Sequence, residues 1–582
     1  MFQTKDQKQD SIRVPLVGAY NTRTIDNTNT TPTASGIVGI GVVGIAIVGS
    51  TTSAYKDQRF INCIPERITN KLTGASRFYC TKRPGFALWS TPSAGNAGNA
   101  IHLWETFGGG TVPVMTSFGS TNSVLYKDTT SLDSITGVTT FLDEALIGTT
   151  SYLIALSSDS TGWFYANDAG VPTQTFTATT VSGSPTVTAI ASTTGMYKGM
   201  AITGTGIPAS TVILSVDSGT QITLSANATA SNVGVTLTRS VLAKITDTDF
   251  PGNAGRTLTG RLAFMDGFTF VMDTSGRIYN SDINSITSWT ALNYVTAQGS
   301  FDNGVGVARY KNQIVAFGSE TTEFFFNAGN ATGSPLQNQP QATIKLGCIG
   351  PNAYCPVEDS IAWVSSSNIS GVGVYLLDGY TPKRISIPAI EAGLALVPST
   401  SIWMNAVQML GKTLLVIATT GTTYVYSLTD DTWHEWSSTE TLWHHIVGTS
   451  SGTRMVYAVS NSSTGGKVFR INPSSLVYTD DGSAFNMTIQ TSPFDADNGL
   501  RKRLYRLQLI GDQYSTTNPV TIQWSDDDYQ TWSTGRSVDM INGSPYLVGC
   551  GSFRRRNFKI VNSSELPLRL EAIEMLINQN MH

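Results

Sequence analysis

The chain has 582 residues, of which only 13% are charged and 40% hydrophobic, with 55 glycines and 37 basic residues against 41 acidic ones. Charges that nearly cancel exclude disorder driven by net charge, and a text rich in Ser, Thr, Asn and Gly excludes a long coiled coil. A net charge of -4 also argues against free nucleic-acid binding through a general basic field, and the length calls for more than one structural unit.

The opening MFQTKDQKQD lacks the apolar core of a signal peptide. Within an N-terminal arm, residues 1–55, the text IVGIGVVGIAIV stands out. As a helix its twelve residues would reach about 18 Å, short of the roughly 30 Å of a bilayer core. Gly39, Gly41 and Gly44 each weaken a helix by about 1 kcal/mol relative to Ala, and the β-branched neighbours favour an extended, buried course. Ile37, Val38, Ile40, Val42, Val43, Ile45, Ile47 and Val48 are therefore expected at an interface with an adjacent subunit rather than in lipid. The five cysteines, Cys63, Cys80, Cys348, Cys355 and Cys550, are odd in number and include no C-x-x-C. Neither a disulfide scaffold nor a zinc module is indicated, and synthesis in a reducing cytoplasm fits.

Further along the chain a unit recurs: a β-rich apolar run, a polar turn, and a second run rich in aromatics. Copies begin at Phe268, Ile314, Ile361, Thr413 and Met455, with spacings of 46, 47, 52 and 42 residues. An earlier copy starts at Tyr152, and removing the compositionally distinct 70-residue block 171–240 restores a spacing of 46. A weaker copy starts at Val112. Hairpins repeating every 40 to 50 residues predict propeller blades, because one small sheet buries both faces only when neighbours pack against it. Six or seven blades can be counted; an ordinary β-sandwich with evenly spaced strands is the alternative. The expected fold is thus an all-β propeller in two parts, 56–170 and 241–485, with a small all-β module inserted at 171–240 and a C-terminal β-unit at 486–582.

The inserted block alternates short Val/Ile/Thr runs with Gly-Thr-Gly, Pro and Ser-Gly turns and carries almost no charge. Its stretch GMAITGTGIPASTVILSVDSGTQITLS resembles small all-β modules of phage tail and baseplate proteins. A module between blades is free to contact a neighbour, a host surface or nothing, a decorative role being the default.

Candidate chemistry is sparse. Ser525, Asp527, Thr531 and Trp532 follow the Asp-box pattern of sialidases, with Tyr529 in the glycine position; that box clamps a hairpin away from the chemistry. Asp526, Asp527 and Asp528 lack EF-hand spacing. His444 and His445 would point to opposite faces of a strand, and His102, His434 and His582 stand alone. P-loop and H-E-x-x-H motifs do not occur. No catalytic residue, metal or cofactor is expected. Two basic clusters, Arg501, Lys502, Arg503 and Arg506, then Arg554, Arg555, Arg556 and Lys559, should split between strand faces, and they suit contact with another subunit better than with DNA phosphates.

The remaining N-terminal text then becomes informative. RVPLVGAYNTRTI (13–25) is followed by YKDQRFINCIPE (55–66) and SRFYCTKRPGFALW (76–89). Arg59, Asn62, Pro65 and Glu66, then Lys82, Arg83, Pro84 and Gly85, resemble the opening of the tail nozzle, or packaged-DNA stabilisation, proteins of short-tailed bacteriophages; the apolar 36–49 segment departs from that opening. The resemblance implies a structural virion protein, not an enzyme, made in the host cytoplasm. It implies a sixfold ring of copies below the portal and its head-to-tail adaptor. That ring would extend the DNA channel, retain packaged double-stranded DNA without sequence-specific binding, and anchor tail fibre, spike or needle proteins. A receptor-binding or fibre-attachment protein, and less so a glycan-cleaving propeller, are the competing readings.

Overall fold

A computed structural model of the chain describes residues 10–15 and 58–580, except 70–75, 95, 109, 120, 170–173, 298, 300–301, 368–370, 438–444, 449–454, 461–464, 496–498 and 543–544. The apolar stretch 37–48 lies outside the described residues, as do His444 and His582.

Seven four-stranded antiparallel sheets form a closed propeller. Blade 1 runs over 97–136, blade 3 over 258–296, blade 4 over 304–338, blade 5 over 354–384 and blade 6 over 403–436. Blade 2 takes three strands from 139–166 and its fourth from the end of the long strand Asn232–Lys244, through Trp163 opposite Lys244. Blade 7 uses His445–Gly448, Val456–Val459 and Gly465–Ile471, and borrows its fourth strand, Ala87–Ala94, from the other end of the propeller sequence. First strands of successive blades pack side by side from blade 1 round to blade 7 and back to blade 1. The ring is shut.

The seven repeat copies fall on the second and third strands of the seven blades. Those second strands lie between two neighbouring blades, so both of their faces are covered, and they read as continuous apolar runs rather than alternating ones. Leu414, Leu415, Val416, Ile417 and Ala418 on blade 6 are all fully buried. Each of the four larger side chains contributes about 1.5–3 kcal/mol relative to exposure. The blades turn tightly: Asp266 and Gly267, both at positive φ (53° and 82°), connect the first two strands of blade 3, the backbone shape a two-residue hairpin turn demands.

The pairing departs from the expected division in two places. Strands of the 171–240 block lie inside blade 2, between its third and fourth strands, rather than between blades. The reason is the shared strand Asn232–Lys244: its first half pairs with Gln174–Thr180 and Met200–Gly204, and its end completes the blade. Ile202, Ile213 and Leu237 of the module join one continuous core with the flanking blades. Second, the strands from 59 to 82 belong to no blade. They pair with strands after residue 486 to make a two-sheet sandwich. One sheet contains Cys63–Thr69, Ser76–Lys82, Arg569–Asn580, Arg501–Gly511 and Tyr546–Val548, with Asp10–Pro15 alongside Arg569–Asn580. The other contains Arg59–Ile61, Met487–Gln490, Asn557–Asn562, Pro519–Ser525 and Arg536–Asp539. Phe60, Leu507, Ile522 and Ile560 pack between them. This second sheet continues into blade 6 through a parallel bridge, Ile61 opposite Glu435.

Candidate functional site: a buried lock and an arginine face

The two N-terminal motifs meet at the joint between sandwich and propeller. Asn62 sits at φ 53°, a turn conformation that Asn tolerates better than most side chains. Its amide oxygen accepts from Arg83 Nε (2.8 Å) and the Ser437 backbone N–H (2.9 Å), and its Nδ2 donates to Ser437 Oγ and the Asn486 carbonyl, both at 2.8 Å. Arg83, fully buried, uses all five of its donors: on Asn62, on the carbonyls of Pro84 and Ser437, and twice on Asp480 (3.0 and 2.5 Å). Asp480 also accepts from the Phe86 backbone N–H (3.0 Å), and the Phe485 ring stacks 4.0 Å from the guanidinium. A buried charge is tolerable because pairing is complete.

Around this core, Arg59 makes a bidentate pair with Glu435 (2.8 and 2.5 Å). Lys82 donates to Asn562 Oδ1 and the Ser564 carbonyl; burial, and then the neighbouring Arg83, pull its ammonium down to about 8. Gly85 has no alternative: a Cβ there would stand 2.0 Å from the Thr479 carbonyl oxygen. Pro65 pairs opposite Cys80, and Glu66 lies 3.5 Å from Arg569. The motif residues thus lock the sandwich to blades 6 and 7. Their partners Glu435, Ser437, Asp480 and Asn562 were not legible in the sequence, since they lie between 354 and 480 residues away.

The first basic cluster does not split as its strand alternation suggests. A bulge between Leu504 and Arg506 in Arg501–Gly511 puts Arg506 on the same exposed face as Arg501 and Arg503, and only Lys502 turns inward, onto the carbonyls of Leu500 and Arg554. The second cluster does divide: Arg554 and Arg555 are exposed, while Arg556 is buried in a bidentate pair with Asp526, both bonds 2.7 Å. Arg503 and Arg506 lie over the rings of Tyr505 and Tyr546, each at 5.3 Å.

The Asp-box residues form the expected turn. Asp527 accepts from Ser525 Oγ (2.8 Å) and from the N–H and hydroxyl of Thr531 (2.9 and 2.5 Å), and these bonds hold its carboxyl at about 2. Tyr529 takes the glycine position at φ 67°, tied down by its hydroxyl on the Thr491 carbonyl (2.8 Å). Of the histidines, His434 is buried, with neither ring nitrogen hydrogen-bonded, and burial lowers it to about 3. The propeller axis is bridged by Arg261 of blade 3, which reaches across to the Met404 carbonyl (3.4 Å) and Asn405 Oδ1 (3.2 Å) of blade 6. His102 Nε2 lies 3.5 Å from Glu144 on adjacent inner strands, beside the part-buried Asp143, whose carboxyl desolvation pushes up. All five cysteines are buried free thiols. Among the described residues no group of three metal-ligating side chains occurs.

Comparison with known proteins follows this geometry. A family model described as bacteriophage P22 Gp10, beta-propeller, matches residues 203–457. Over that span the chain is similar to the phage-stabilisation family. The tail hub protein gp10 of Salmonella phage P22 is 30% identical over 97 residues, covering 16% of this chain and 21% of that protein. Solved structures include BBS1N in complex with ARL6DN (12% identity, 67% of this chain and 98% of that one, TM-score 0.36) and BamB from Moraxella catarrhalis (10%, 63% and 80%, 0.30). Likeness at that level carries no argument about role. The phage-stabilisation match begins inside the module strand Met200–Gly204 and ends in blade 7, so it includes Glu435 and Ser437 but not Arg83, Asp480 or the arginine face.

Proposed function

We propose that the chain is a structural subunit of a short-tailed phage tail. Copies would form a ring, sixfold by the resemblance, that continues the DNA channel below the portal and adaptor, retains packaged DNA and anchors further tail parts. The observation that carries this reading is the phage-stabilisation propeller together with the motif residues, which serve as a lock rather than a reaction centre. Arg261 across the axis supports a channel between subunits instead of through each propeller. Residues 87–485 carry 16 basic against 26 acidic residues, which counts against a wall that grips phosphates. In this reading the working units are the N-terminal arm, the propeller with its module, and the sandwich built from both ends of the chain. The arm's apolar residues, Ile37 to Val48, remain the proposed subunit contact. Mass measurement of the purified chain with electron-microscope class averages is the test: closed rings are expected, and a chain that stays monomeric in virion extracts would overturn the proposal.

A fibre-attachment or receptor-binding role finds support in exposed Val181, Leu214 and Val233 on the nearly uncharged module. A deletion of 171–240 would spare Ala243 and Lys244, the residues that complete blade 2. Loss of adsorption by otherwise intact particles would favour this role. A glycan-cleaving role predicts sugar release from host polysaccharide by the purified chain.

A further inference from the structure

We infer that the arginine face of the sandwich docks head-to-tail onto a carboxylate-bearing edge of the propeller in the next copy. This rests on the ring reading above and names the contact that would build the ring.

Charge is unevenly divided along the chain. Residues 87–485 carry a net of -10, from 16 basic and 26 acidic residues, while the remaining segments carry 21 basic and 15 acidic residues, a net of +6. A closed ring of one chain needs two different, mutually complementary surfaces on each copy, and opposite charge is the simplest form of complementarity. The sandwich supplies the positive surface. Arg501, Arg503 and Arg506 share one exposed face because of the bulge, and Arg554 from the adjoining turn reaches the Gly499 carbonyl (2.9 Å) at its end. Among the described residues none of these four has a carboxylate within 4 Å, whereas Arg59, Arg83 and Arg556 do.

The face is also apolar. Tyr546 and Val548, opposite Gln508 and Arg506 on the neighbouring strand, are 53% and 55% exposed. Arginines resting over tyrosine rings, with exposed Val and Tyr between them, match the composition of protein interface centres. Duplex phosphates would use the cations and leave Tyr546 and Val548 without a partner. This favours protein over DNA as the occupant.

The negative surface follows from blade topology. In a four-stranded antiparallel blade the turn between strands one and two and the turn between strands three and four lie at the same end. In blade 5 these turns carry Glu358 and Asp359, and Asp378, all exposed, with half-exposed Tyr380 beside them. The corresponding first turn of blade 3 adds exposed Asp266. No basic residue occupies either turn of blade 5. The guanidinium face on one copy and the blade 5 carboxylates on the next give a contact that steers assembly and weakens with salt.

Charge reversal with mixing tests this. Arg503→Glu with Arg506→Glu disables one surface, and Asp359→Lys with Asp378→Lys disables the other; all four positions are exposed, so thermal melts should match the parent. Each double variant alone should lose rings, with assembly requiring at least tenfold more protein. Mixed one to one, the two variants offer one native and one charge-exchanged pair of surfaces and should recover rings in which they alternate. The quadruple variant, with both signs exchanged, should recover rings. Rings from the Arg503→Glu/Arg506→Glu protein at parental concentration and salt would overturn the docking while leaving the ring reading in place. So would normal rings from that protein with weakened retention of a short DNA duplex, which would assign the face to phosphates. A parent protein that never forms rings would overturn both readings.

Discussion

The propeller and the sandwich are built by opposite strategies. Each propeller blade comes almost wholly from consecutive strands, and its stability comes from apolar second strands covered on both sides. The sandwich collects strands from 59–82 and from beyond 486, and its attachment depends on a polar knot around Arg83. Repetition of a local unit resists single changes, because each blade contributes its own share of buried area. A joint made from distant residues concentrates its energy in a few irreplaceable groups.

That contrast can be broken first at the lock. Asp480→Ala leaves the Arg83 guanidinium buried without its counter-charge and should cost about 3–5 kcal/mol. Differential scanning calorimetry should then resolve the sandwich as a separate, earlier transition; a single unshifted transition would remove the lock from the account. Acid sharpens the contrast on the propeller side. His434 titrates at about 3 when folded and near 6.5 when free, so the unfolded chain binds its proton first and stability falls as pH drops below about 6.5. The loss approaches about 1.4 kcal/mol per pH unit, and His434→Leu should flatten it in urea titrations from pH 7 to 4. A smaller effect is expected within a blade: Ile417→Val, on a fully buried second strand, should cost only about 0.5–1.5 kcal/mol and leave ring closure intact. Smallest is the Asp-box turn. Asp527 is held at about 2, so its contribution is present above about pH 4 and is lost as pH falls through 2; Asp527→Asn should change only local proteolysis of the turn at 526–531 at neutral pH.

The same contrast decides what could be read from the text. Seven hairpin copies were visible because buried second strands repeat as apolar runs followed by aromatics, and each copy lies on a blade's second and third strands. The module's composition was visible, but its place inside blade 2 was not, because one strand, Asn232–Lys244, serves two sheets and no residue in it announces the change of partner. The assignment of 59–82 to a sandwich with the C-terminus was hidden for the same kind of reason: antiparallel pairing across more than 400 residues leaves no local periodicity. Motif residues Arg59, Asn62 and Arg83 were noticed through resemblance, yet their role as a joint needed Glu435 and Asp480. The bulge at Leu504 was likewise silent, and it decides whether three arginines share a face.

The strand Ala87–Ala94 has a temporal consequence. It leaves the ribosome before any blade, yet its pairing partner Gly465–Ile471 is made some 377 residues later. At about 5–20 residues per second of synthesis, the nascent chain therefore carries an unmatched sheet edge for roughly 20–75 seconds. During that interval the half-built ring is open to pairing with the same edge on a neighbouring nascent chain, so translation speed over blades 1 to 6 sets how much of the product matures as separate subunits.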